Sequence, residues 1–126
     1  MIEVYDYKYS KGKLTGYVDG RKYLNKKEKL LGYLEGLKFK DKSGETLLIL
    51  KDNGKITYGD GEKHGILKPG EILEYHTEEL IYSYDKEQGK ILNSEGSLML
   101  ELKGDFSNLN DSDYFGIAGQ YLELFA

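Results

Sequence analysis

The chain has no cysteine and no tryptophan, one proline and two methionines among its 126 residues. The missing cysteine excludes disulfides and thiolate metal sites. No apolar run approaches the roughly 20 residues needed for a bilayer-spanning helix. The N-terminus, "MIEVYDYKYSKGK", is polar and alternating and lacks the apolar block of a secretory signal. A cytoplasmic protein of one domain, residues 1–126, is the expectation. Histidine is scarce as well. His64 and His76 are the only two, and neither has a histidine at the i, i+2 or i, i+4 spacing of common zinc sites. Asp60, Glu62 and His64 alternate, so on a strand they would share a face able to hold a metal, but the glycines around them read as a turn. No metal or other cofactor is expected. Phosphate-binding and nucleophile-elbow motifs are missing too.

What is present is turn chemistry and aromatic residues. Sixteen glycines and twelve tyrosines favour short strands over helices. "GYVDGRKYL" at Gly16–Leu24 returns as "GYLEGLKFK" at Gly32–Lys40, an offset of 16. Lys13, Leu14, Gly16, Tyr17, Gly20, Lys22 and Lys26 meet Lys29, Leu30, Gly32, Tyr33, Gly36, Lys38 and Lys42. Each unit reads as two short strands separated by a glycine turn. Asn25 and Asp41 stand where their side chains can bond the backbone of the next turn. One hairpin cannot bury its apolar face alone, so copies must stack.

Looser copies follow. "TLLILKDNGKITYGDG" places an Asp52-Asn53-Gly54 turn between strands, and "GILKPGEILEY" puts Gly65 in the position of Gly16 with Pro69-Gly70 at the turn. Strands are expected at Leu80–Tyr84, Lys90–Asn93 and Ser97–Leu102. In the first strand Tyr5, Tyr7 and Tyr9 share one face, expected to point inward or to cover a sheet edge. The period changes near the C-terminus. Tyr114, Ala118, Tyr121, Leu122 and Phe125 fall at helical spacing, with Asp111 or Ser112 able to cap, so residues 111–125 are expected to form a helix. The alternative there is a final strand at Gln120–Phe125. The fold class is mainly β: repeated hairpins forming a roll or barrel, with a short C-terminal helix against it or at a subunit contact.

The stretch "GKITYGDGEKHG", Gly54–Gly65, resembles a MORN-type repeat, in which a glycine, an aromatic strand residue and an Asp-Gly turn recur. This resemblance of architecture implies a stacked-hairpin scaffold with protein or lipid partners, and it implies no catalytic residues.

Charge is unevenly spread. Arg21–Lys42 holds eight basic and three acidic residues, net +5, whereas Glu71–Ala126 holds three basic and twelve acidic, net −9. The two regions either solvate separate faces or meet a partner. Three functional readings follow. The first is a non-enzymatic binding or scaffold domain whose partner is another protein or a second copy of the chain. The second is nucleic-acid or polyanion binding through Arg21, Lys22, Lys26, Lys27, Lys38 and Lys40, where lysines interleave with Tyr23 and Phe39. Buried aromatics with solvated lysines explain the same letters. The third is a small enzyme whose site is assembled from scattered acids and tyrosines.

Overall fold

The computed structural model describes residues 1–8 and 11–124. Its strands are β1 (Ile2–Asp6), β2 (Lys13–Asp19), β3 (Lys22–Asn25), β4 (Leu30–Glu35), β5 (Lys38–Asp41), β6 (Thr46–Leu50), β7 (Lys55–Tyr58), β8 (Lys63–Lys68), β9 (Glu71–Glu74), β10 (Leu80–Asp85), β11 (Lys90–Asn93) and β12 (Leu98–Lys103). One helix, α1 (Asp111–Tyr121), follows. Each strand pairs antiparallel with its sequence neighbours, and β1 pairs with β12, which closes the sheet into a barrel. Closure removes the sheet edges that the hairpin repeats would otherwise leave.

The sequence repeat is a repeat of hairpin register. Gly16 faces Asn25, Gly32 faces Asp41, and Gly65 faces Glu74. At each of these three positions a carbonyl of the paired strand occupies the space that a Cβ would need: Leu24 O, Lys40 O and Leu73 O. Glycine is required there because the backbones approach too closely for any side chain. The turns after β3 and β5 are fixed as the sequence predicts. Asn25 Oδ1 accepts the N–H groups of Lys27 and Lys29, and Asp41 Oδ1 accepts those of Ser43 and Glu45. The Asp41 carboxyl is held below the usual carboxylate range, first by the Ser43 hydroxyl and further by these backbone donors.

Alternation along the strands fills the interior with Val4, Val18, Tyr23, Leu34, Phe39, Leu48, Ile56, Ile72, Ile91 and Leu100. The expectation for the first strand is reversed. Ile2 and Val4 point inward and are buried, while Tyr5 lies on the outer face opposite Glu101, with the Lys103 ammonium 4.6 Å from its ring centroid. Facing out, Tyr5 keeps its hydroxyl near water and its ring under the Lys103 ammonium, while the two aliphatic residues take the interior. Tyr9 lies outside the described residues.

The helix is neither on the barrel nor at its flank. It runs through the lumen. Tyr114, Phe115, Gly116, Ile117, Ala118, Gly119 and Tyr121 are all buried, so no face of it meets solvent. Its contacts reach around the wall, to Tyr23 on β3, Phe39 on β5 and Tyr84 on β10, and Leu124 just beyond it reaches His64 on β8. A barrel wider than eight strands encloses more space than its own side chains fill. A helix, about 10–12 Å across with side chains, takes up that space. Its N-cap is Asn110, one residue before the expected cap. Asn110 Oδ1 accepts the Asp113 N–H, and Asp113 Oδ2 accepts the Asn110 N–H, completing a capping box. The helix ends at Tyr121, short of the expected 125, and Phe125 lies outside the described residues.

Candidate binding surfaces on the barrel exterior

The polar groups that reach the lumen are used to hold α1. Tyr121 Oη donates to the carbonyls of Tyr17 and Leu24, both at 2.8 Å by position, so its single proton is shared between them. Tyr84 Oη donates to Asp111 Oδ1 at 2.8 Å, and its ring stacks on Tyr114 with centroids 4.9 Å apart. His64 Nε2 meets the Leu124 carbonyl, and the imidazole lies against the Tyr58 ring. At the helix start Arg21 donates from Nη2 to the Gly36 carbonyl, with its Nε 3.9 Å from Asp113. Burial raises the pKa of Tyr23, Tyr84, Tyr114 and Tyr121, and Tyr114 is pushed up to about 12. These hydroxyls stay protonated at neutral pH. Those of Tyr121 and Tyr84 donate structural bonds, while those of Tyr23 and Tyr114 have no hydrogen-bond partner among the described residues. With the lumen filled, the surfaces left to meet a ligand are the outer wall and the two rims.

The topology sets which residues share a rim. The β2–β3, β4–β5, β6–β7, β8–β9 and β10–β11 turns lie at the rim where α1 enters. The β1–β2, β3–β4, β5–β6, β7–β8, β9–β10 and β11–β12 connections lie at the opposite, exit rim. The six basic residues singled out in the sequence therefore do not form one patch. Arg21 docks the helix start at the entry rim. Lys22 and Lys38 are exposed on the outer wall beside it. Lys40 is paired with Glu35 at 2.9 Å. Only Lys26 and Lys27 reach the exit rim. There they join Lys11 from the β1–β2 connection and Lys13 at the start of β2 to line a cleft with Asp6, Leu14, Thr15 and Asn25. A window restricted to residues 21–42 misses Lys11 and Lys13. The signal was available: "KGK" precedes β2 and "KKEK" follows β3, and antiparallel neighbours bring those two ends together.

Asp60, Glu62 and His64 do not share a face. Asp60 Oδ1 accepts the Glu62 N–H within an exposed turn, while His64 turns inward to the chain beyond the helix. Among the described residues no group of three potential ligands could hold a metal ion. None of their helices is long and apolar enough to cross a membrane.

Taken with their rims, opposite sectors of the barrel carry opposite net charge. Residues 21–42, spanning β3–β5, carry eight basic and three acidic side chains, net +5, whereas residues 71–97, spanning β9–β11, carry seven acidic and two basic, net −5. β4 and β10 are six places apart in the closed order of twelve, so these sectors lie on opposite sides of the barrel. Each sector also has an outward apolar group. Tyr17, Leu24 and Leu30 are register neighbours beside the basic sector, and beside the acidic one Ile66 and Leu80 flank Leu73, which is itself buried. Leu30 is among the most exposed large apolar residues, at 36%.

Comparison with family models, with characterised proteins and with solved structures returns no match to this chain.

Proposed function

We propose that the protein is a non-enzymatic scaffold domain that associates with further copies of itself, the basic wall of one barrel against the acidic wall of the next. The observation that carries this reading is the equal and opposite net charge on sectors half a turn apart. Complementary potentials steer association and fix orientation. Tyr17, Leu24 and Leu30 beside the basic sector, and Ile66 and Leu80 beside the acidic one, keep part of their surface exposed and offer area to bury once the charges have aligned the barrels. The hairpin grammar, similar to that of MORN-type repeats, agrees with a protein partner.

The geometry of the walls sets the form of the assembly. A contact between two different patches is heterologous, and patches on opposite sides of one body propagate in a line instead of closing a ring. The expected species is an open chain of barrels whose mean length grows with protein concentration.

Charge reversal tests this reading. Lys22→Glu with Lys38→Glu cuts the basic sector from net +5 to +1, and Glu71→Lys with Glu87→Lys cuts the acidic sector from net −5 to −1. All four residues are exposed. In sedimentation velocity at low salt each variant alone is expected to be monomeric. An equimolar mixture is expected to form one-to-one pairs through the unchanged acidic sector of the first and basic sector of the second, without the longer chains of the parent protein. A mixture that stays monomeric, or single variants that associate like the parent, would contradict it.

A further inference from the structure

The exit-rim cleft points to a second activity that does not depend on self-association. We propose that it binds a small ligand carrying several phosphate groups. The cleft has a volume of about 930 Å³ and is lined by Lys11, Lys13, Lys26 and Lys27 against one carboxylate, Asp6. Volumes of this order suit small molecules. Among the described residues, the ion pairs engage Arg21, Lys40, Lys68 and Lys86, and none of the four cleft lysines. Four lysines against one carboxylate leave the cleft with an excess of positive charge, which a multiply charged anion neutralises. Lysine meets phosphate as a point charge, so it does not need the planar geometry of an arginine fork.

The backbone that carries the lysines is braced at named points. Lys26 and Lys27 ride on a turn whose N–H groups at 27 and 29 are held by Asn25 Oδ1, with the Glu28 N–H donating to the Asn25 carbonyl. Lys11 and Lys13 flank Gly12, which lies so close under the Tyr7 ring that a Cβ would fall 2.6 Å from its Cζ. Tyr7 is itself anchored, its Oη donating to Glu101 at 2.9 Å. A braced backbone keeps the four lysines at one opening, so binding has only their side chains left to order. The volume of the cleft suits a compact ligand, while exposed Lys29 and Lys42 on the neighbouring connections of the same rim make a phosphate polymer the competing occupant.

Isothermal titration of the full chain with tripolyphosphate at low salt tests the proposal. Saturable one-to-one binding is expected. Lys11→Gln with Lys26→Gln is expected to weaken it at least about tenfold, since each lost charge-assisted contact is worth about that factor. Both are exposed residues whose side chains make no hydrogen bond or ion pair among the described residues, so the melting temperature should not move. Lys22→Gln with Lys38→Gln removes the same charge from the wall and is expected to leave the affinity within about threefold. That pair also disturbs the self-association surface, so retained tripolyphosphate binding separates the two readings. The proposal is overturned by a flat titration, or by equal losses in the two double variants, which would mean diffuse charge. A single-stranded oligonucleotide that binds where tripolyphosphate does not would overturn it as well, in favour of a polymer.

Discussion

Replacing Gly116 by alanine is expected to destabilise the protein by at least about 2 kcal/mol, although alanine is the better helix former by about 1 kcal/mol. Propensity and packing point in opposite directions at this residue, and packing wins because the helix lies inside the barrel. A Cβ on Gly116 would fall within van der Waals contact of Tyr23 Oη and 2.8 Å from its Cζ. Tyr23 cannot swing away. It is 1% exposed, and its ring is held between Phe39 and Tyr121, with centroids 6.1 and 6.2 Å away. Gly119 provides the contrast on the same helix. Its Cβ would stand 3.3 Å from the Phe39 ring, a contact that a shift of a few tenths of an ångström relieves. Gly119→Ala is therefore expected to lie within about 1 kcal/mol of the parent, the propensity gain offsetting the crowding. Tyr23→Phe removes a hydroxyl that has no partner among the described residues and is expected to cost less than about 1 kcal/mol. Combined with Gly116→Ala it should recover part of the loss, because the nearest clashing atom is gone. Urea midpoints of the three single variants and the double variant close the cycle. A Gly116→Ala protein more stable than the parent would mean that the helix does not press on Tyr23.

Alkaline pH is expected to unfold the protein cooperatively. Burial is the largest cause raising the pKa of Tyr23, Tyr84, Tyr114 and Tyr121 above the ordinary value of 10. The neighbouring carboxylates add to it: Asp113 at Tyr23, Asp111 at Tyr84, and Asp85 and Asp113 at Tyr114. A phenol whose pKa is higher in the folded state contributes stability that is fully present below pH 10. That stability drains away as pH rises through the folded-state value. Each such group costs about 1.4 kcal/mol per pH unit, so four acting together cost about 5 kcal/mol per unit. The contribution of Tyr114 is spent by about pH 12. Against a typical stability of about 5–15 kcal/mol, the fold should be lost within roughly one to three units above pH 10. Tyrosinate absorbance and circular dichroism followed together should show a step in which ionisation and loss of structure coincide. Tyrosinate absorbance that rises to completion while the circular dichroism stays native would contradict the burial of these four rings.

The hairpins are legible in the sequence because their determinants are local. Asn25 and Asp41 bond the next turn within four residues, and the glycines at 16, 32 and 65 mark the same register position. The helix is legible for the same reason, through the spacing of Tyr114, Ala118 and Tyr121, while its cap falls on Asn110 instead of the expected Asp111 or Ser112. What lies beyond local reach is where that helix goes. Its expected apolar face omits Phe115 and Ile117, yet both are fully buried. A helix apolar all round was the available sign of a surrounding wall. The first strand misleads because three tyrosines outweigh Ile2 and Val4 in any count of apolar surface. Only closure against β12 decides which face the barrel encloses. The basic residues mislead for a related reason. Neighbours in sequence, such as Arg21 and Lys26, lie at opposite rims, while Lys11 and Lys26, separated by a whole hairpin, line one cleft.

The assignment of function to the outer wall and rims rests on the lumen being occupied by α1. Native-state hydrogen exchange measures that occupancy directly, amide by amide. The amides of Ile117, Ala118 and Gly119 should exchange as slowly as those of Ile91 and Leu100 in the wall, and only with global unfolding. Helix amides that exchange orders of magnitude faster, with the wall still protected, would show that α1 leaves an intact barrel and that the lumen itself is open to a ligand.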